Sequence, residues 1–143
     1  MQKRKTLMRA VARVRHAWHN HVKQITLSEG IPDSYRPVLL FLKRSPGASQ
    51  RSIAEFAGVT TSAINQTVKS MLDDHYLRKE VDLSDKRNSK LYLTDQGLEI
   101  AEKLYHRMDA SDDAITSLIG TEQEEELIAF LDKLADYIRK DLN

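Results

Sequence analysis

The sequence predicts a mainly α-helical protein carrying one small β-hairpin. Three observations predict it. Apolar residues recur every three or four positions through both ends of the chain. Gly and Pro punctuate the middle into short segments. From Leu77 the apolar period drops to two. The chain has 143 residues, enough for one compact domain or two small ones.

The elements follow in order. Leu7, Val11, Val14, Trp18, His21 and Ile25 recur at spacings of four and three, the stripe of an amphipathic helix. Gly30 and Pro32 end it, because Gly suits the left-handed position after a helix and Pro cannot continue one. Ser34 is the expected N-cap of a second helix, with Pro37 in its first turn, where a missing N–H costs nothing. Val38, Leu39, Leu40, Phe41 and Leu42 are apolar all round, so this helix is central. Ser45-Pro46-Gly47 stops it. A short helix from about Ser49 turns Ile53, Ala54, Phe56 and Ala57 inward, and Gly58 breaks it. Thr60 or Thr61 caps a fourth helix through about Asp74, with Ile64, Val68 and Met71 inward. Its other face reads Ser62, Asn65, Gln66, Lys69.

Leu77, Lys79, Val81 and Leu83 then alternate with Arg78, Glu80 and Asp82, and Leu91 and Leu93 alternate with Lys90, Tyr92 and Thr94. The polar loop 84–89 joins two strands into a hairpin. Thr94 caps a helix bearing Leu98, Ala101, Tyr105, Met108, Ile115 and Ile119, interrupted at Asp112 and ended by Gly120. Thr121-Glu122-Gln123-Glu124 reads as a capping box for a last helix lined by Leu127, Leu131, Leu134 and Ile138.

Composition excludes several classes. Without Cys there is no disulfide scaffold, thiolate nucleophile or Cys-bound zinc. The longest apolar runs are only four or five residues, such as Val38 to Leu42, far too short to span a membrane. The basic N-terminus lacks the apolar stretch of a secretory signal, so the expected compartment is the cytoplasm. A net charge of +1 conceals a segregation: residues 1–33 carry +5, residues 34–94 carry +4 and residues 95–143 carry −8. The first two-thirds of the chain thus offers a basic face to a polyanion.

Helix, short helix, Gly-containing turn, helix and hairpin with a basic tip make a winged helix-turn-helix lobe over residues 34–94. A helix reads the DNA major groove only if its outer face carries short polar side chains that reach base edges. Thr60, Thr61, Ser62, Asn65, Gln66 and Lys69 supply them, with a single charge where ordinary surface helices are filled with Glu and Lys. Ser49, Gln50 and Arg51, at the start of the short helix, are assigned to the DNA backbone. Asp85, Lys86, Arg87, Asn88 and Lys90 form the wing, whose cations grip phosphates or enter the minor groove. Residues 1–33 and 95–143 are expected to be dimerisation helices, because their stripes exceed what a lobe of about 60 residues can cover. Lys3, Arg4 and Lys5 read as a solvated tail.

Ile53-Ala54-Glu55, Gly58-Val59-Thr60, Asp85-Lys86-Arg87 and Leu91-Tyr92-Leu93-Thr94-Asp95-Gln96-Gly97 together resemble the MarR-type (multiple antibiotic resistance regulator) transcription factors. The resemblance implies a homodimer on pseudo-palindromic double-stranded DNA, repressing transcription until a small ligand binds. It also implies that Arg87 enters the minor groove and that Asp85 holds it in place. Two positions depart from the pattern. His75 stands where Gly usually closes the recognition helix, and Thr67 where Leu is common.

The resemblance further implies a ligand pocket, for which Trp18, His21, Tyr35, Arg36 and Tyr105 are the aromatic and cationic candidates toward a small aromatic or anionic effector. His16 and His19 lie three apart on a helix, but no acidic or Cys partner stands nearby, so no metal or other cofactor is expected. No nucleophile–base arrangement or phosphate-cradling Gly loop suggests an enzyme. The alternative is a winged-helix module that binds proteins and not DNA.

Overall fold

The computed structural model describes residues 5–85 and 88–142, and among these lie six helices and one two-stranded antiparallel sheet. The fold is the expected winged helix with flanking helices. Among the described residues no helix is long and apolar enough to cross a membrane. The chain divides into two compact units, residues 1–107 and 108–143.

Helix α1 (Leu7–Ser28) begins at Thr6, whose hydroxyl accepts the Arg9 N–H, and Gly30 follows its end at φ 78°. Only its last turns enter the core of the first unit, through Val22, Ile25 and Thr26. Much of the predicted stripe, Leu7, Val14 and His21, stays exposed. Helix α2 (Tyr35–Arg44) is central, as its all-round apolar surface requires, with Val38, Leu39 and Leu42 fully enclosed. Ser34 does not cap it through its side chain. The tight turn before the helix does that work: the Tyr35 and Arg36 amides donate to the Pro32 and Asp33 carbonyls.

Helices α3 (Gln50–Ala57) and α4 (Thr61–Asp73) are separated by Gly58 in the left-handed conformation. Ser49 Oγ accepts the Ser52 N–H and Thr60 Oγ1 accepts the Ala63 N–H, so both helices start at side-chain caps. Ile53 and Ala54 are buried as expected, but Phe56 is 52% exposed, its ring tilted against Phe41 with centroids 4.9 Å apart. An eight-residue helix has one narrow inward stripe, and Phe56 falls at its margin.

Strands β1 (Leu77–Glu80) and β2 (Lys90–Leu93) pair Leu77 with Leu93 and Lys79 with Leu91. Leu77, Lys79, Leu91 and Leu93 therefore share one face. The loop before α3 joins the sheet: Ala48 bridges Leu91, and the Gly47 N–H donates to the Leu91 carbonyl at 2.8 Å. Sequence alternation ran on to Leu83, yet pairing stops at Glu80. Beyond it Asp82 forms a local turn, accepting the Ser84 amide and hydroxyl, which hold its carboxyl below the usual range. Leu83 is left 92% exposed.

Helix α5 (Asp95–Ile119) runs unbroken past Asp112, so the expected interruption is absent. Thr94 opens it, accepting the Gly97 N–H at 3.1 Å and donating to the His75 carbonyl at 2.6 Å. Within the first unit Arg107 reaches back to the end of α1, donating to Ser28 Oγ and pairing with Glu29 at 2.8 Å. Helix α6 (Thr121–Asp141) does not form the capping box. Gly120, at φ 95°, is its N-cap, Thr121 is already helical, and Glu124 accepts the Thr116 hydroxyl instead.

Candidate nucleic-acid interface

Helix α4 has two chemically opposite sides. Ile64, Val68 and Met71 are buried, which fixes its rotation. Thr61, Ser62, Asn65, Gln66 and Lys69 are then all exposed on the outer face. Thr60 is exposed too, but its oxygen is committed to the cap. Amide and hydroxyl side chains projecting from the N-terminal turns of a rigid helix are the groups that read base edges in a major groove.

A cleft of about 430 Å³ adjoins this face. It is lined by Ser49, Gln50 and Arg51 of the α3 start, Thr61 and Asn65 of α4, and Lys79, Asn88 and Ser89 of the hairpin. The structure thus brings together three groups picked separately from the sequence: the α3 start, the outer face of α4 and the wing. Lys79 and Ser89 were not among the sequence candidates. The signal for Lys79 was present, since a cation interrupts the inward column Leu77-Lys79-Val81. None of the eight lining residues is acidic.

At the wing, the Asn88 amide donates to the Asp85 carbonyl at 3.0 Å, and the Asn88 side chain donates to the Asp85 carboxylate at 2.9 Å. Lys90 is exposed. Lys86 and Arg87 lie outside the described residues. On the outer face of the sheet Arg78 is neutralised by Glu80 at 2.7 Å and stacks on Tyr92, 4.3 Å from its ring centre.

The end of α4 is tied to the core. Asp74 caps it, and the buried Tyr35 hydroxyl donates to Asp74 Oδ2 at 2.6 Å. Burial first, and then this bond to a carboxylate, push the Tyr35 phenol up to about 12. His75 follows at φ 62°, the left-handed conformation that Gly would adopt without strain.

The five ligand-pocket candidates have separate engagements. Tyr35 is occupied with Asp74, and Arg36 is buried between Asp33, with which it is ion-paired, and Thr26 Oγ1. Trp18 and His21 stack at a tilt with centroids 5.7 Å apart. Tyr105 is half exposed beneath the Lys43 ammonium, 4.6 Å from its ring centre. His16 bonds to Asn20 at 3.1 Å.

Residues 29–88 match the sequence model of the MarR family. Over 106 residues the chain is 27% identical to the HTH-type transcriptional regulator BilQ of Clostridium symbiosum, a span of 74% of each protein. Among solved structures it is similar to MepR, a transcription regulator of the Staphylococcus aureus multidrug efflux pump MepA. The TM-score is 0.76 at 18% identity, over 94% of this chain and 99% of that one. It is also similar to the MarR family protein Rv2887 of Mycobacterium tuberculosis, solved in complex with salicylic acid. There the TM-score is 0.71 at 23% identity, over 94% and 99% of the two chains.

Proposed function

We propose, from the match of residues 29–88 to the MarR family model and the likeness to an HTH-type transcriptional regulator, that the chain is a regulator of that family which represses transcription in the cytoplasm by binding two-fold operator DNA as a homodimer. Its outer α4 residues meet base edges, while the α3 start and the wing hold the backbone. The observation that carries the reading is the continuous surface from the α3 start across α4 to the hairpin, rich in amides and hydroxyls and free of acids along its cleft. Asn65 and Gln66 suit adenine, Thr61 and Ser62 suit either base type, and Lys69 and Lys90 suit phosphate. The work is an equilibrium between bound and free DNA, with no catalytic step.

The same reading includes a small aromatic or anionic effector that lowers DNA affinity. The salicylic acid bound by Rv2887 supports the class, and Trp18, His21 and Tyr105 supply ring faces and a hydrogen-bonding edge. Tyr35 and Arg36 contribute at second hand, through the contacts that hold α2 and α4 in place.

Gel-shift titration over a salt series tests the DNA assignment. About four phosphate contacts per lobe give a dimer a slope near −7 in log K against log[salt]. Arg87→Ala weakens binding to every duplex alike and flattens that slope, whereas Gln66→Ala reorders preference among duplexes. Two variants with indistinguishable profiles would overturn the division of labour between wing and helix.

A further inference from the structure

We propose that Lys79, on the inner face of the hairpin, is a DNA-phosphate contact that seats the backbone between the wing and helix α4. The inference rests on the DNA-binding reading above and names a residue which the family motifs do not mark. Strand register carries the first step. Lys79 stands opposite Leu91 and on the same face as Leu77, which are 0% and 4% exposed. The inward column therefore points at the helix-turn-helix core at Leu77 and leaves it two residues later. At that point a long cationic side chain emerges into the cleft, facing Thr61 and Asn65 of α4 and the Ser49–Arg51 segment of α3.

Charge carries the second step. Its sequence neighbour Glu80 is on the other face and already paired to Arg78. Among the described residues Lys79 forms no ion pair. The second cation of the cleft, Arg51, is shared with Glu55 in an exposed pair at 3.3 Å, which solvent screens strongly. An ammonium held among hydroxyl and amide groups, with no lining carboxylate, is matched by a single negative charge with several acceptor oxygens. A phosphodiester is that group, and the backbone of the duplex read by α4 would supply it.

The test compares the full-length protein with Lys79→Gln and Lys79→Arg on a selected duplex and on an unrelated one. Lys79→Gln is expected to lower affinity about tenfold on both duplexes and to make the salt slope shallower by about two for a dimer. Lys79→Arg is expected to keep the slope. Because the side chain is exposed, the thermal midpoint should stay unchanged, which separates lost contact from lost fold. An unchanged slope in Lys79→Gln, or a loss confined to one duplex, overturns the assignment. Stabilisation by inorganic phosphate that vanishes in Lys79→Gln while duplex affinity stays unchanged would overturn it too, since the seat would then belong to a free anion. Failure of the wild-type protein to bind any duplex is a different result, and removes the underlying reading along with this one.

Discussion

Gly97 shows how much one residue settles. A Cβ placed there would lie 2.1 Å from the Tyr76 carbonyl oxygen, an atom of the backbone that no rotamer change can move. That same carbonyl accepts the Thr94 N–H, so the segment leaving α4 and the start of α5 are held face to face. Gly97→Ala must push them apart, and a cost of about 3 kcal/mol or more is expected in urea unfolding. A loss under about 0.5 kcal/mol, the range of an ordinary surface change, would show that the contact relaxes freely. In the sequence Thr94-Asp95-Gln96-Gly97 was legible as a pattern but its cause was not, because Tyr76 approaches only after the hairpin has returned the chain. His75 was legible in full: it stands where the helix must close left-handed, and its φ of 62° is what that position demands. Lys79 shows the reverse, a residue whose type was visible but whose surroundings depend on strand register.

Elements whose ends are set by local chemistry could be read ahead of the structure, and elements whose ends are set by tertiary partners could not. Ser49, Gly58 and Thr60 delimit α3 and α4 where expected, because caps and left-handed turns act within a few residues. Strand β1 ends early because its continuation has nothing to pack on, and the capping-box pattern at Thr121 loses to Gly120, which starts α6 one residue sooner. The tie between α2 and α4 is of the tertiary kind. Tyr35 and Asp74 are far apart in sequence, and their bond sets where α4 ends relative to the core. A phenol raised to about 12 when folded, against about 10 when unfolded, keeps its proton longer in the native state. Its stabilisation is therefore complete below pH 10 and is lost as pH climbs through 12. Tyr35→Phe should cost about 1–3 kcal/mol at pH 8, the range for a hydrogen bond to a charged group. The gap between wild type and variant should narrow in urea titrations carried towards pH 12. A gap that stays constant across that range would mean the bond does not discriminate between protonation states.

At the scale of the molecule the unanswered surface is apolar. In the second unit α6 buries none of its residues, and Leu127, Ile128, Phe130, Leu131 and Tyr137 are each roughly half exposed, with Leu118 of α5 at 85%. In the first unit Leu7, Met8 and Val14 of α1 are likewise open. Periodicity marked Leu7, Val14, Leu127 and Leu131 among them, whereas Met8, Leu118, Ile128, Phe130 and Tyr137 lie off the expected lines. The sequence already led to the expectation that the winged-helix lobe leaves these stripes uncovered; what it did not mark is how far the open surface spreads beyond them. Surfaces of this size on a charged, otherwise polar protein call for a partner, and a second copy offers the same stripes with two-fold symmetry. The proposed DNA binding supplies an independent reason. One lobe carrying +4 holds few phosphates, while two lobes joined in a dimer pay the entropy of association once and add their contacts. Leu127→Glu with Leu131→Glu places two charges on the exposed α6 stripe, at positions outside the winged-helix segment 34–94. Sedimentation should then change from dimer to monomer at micromolar concentration, with the helical content kept. The salt slope should fall by half, from about −7 to about −4, as one lobe's phosphate contacts disappear from the equilibrium. A double variant that remains dimeric would place the subunit contact elsewhere, and one that becomes monomeric yet keeps the full slope would show that a single lobe makes every backbone contact.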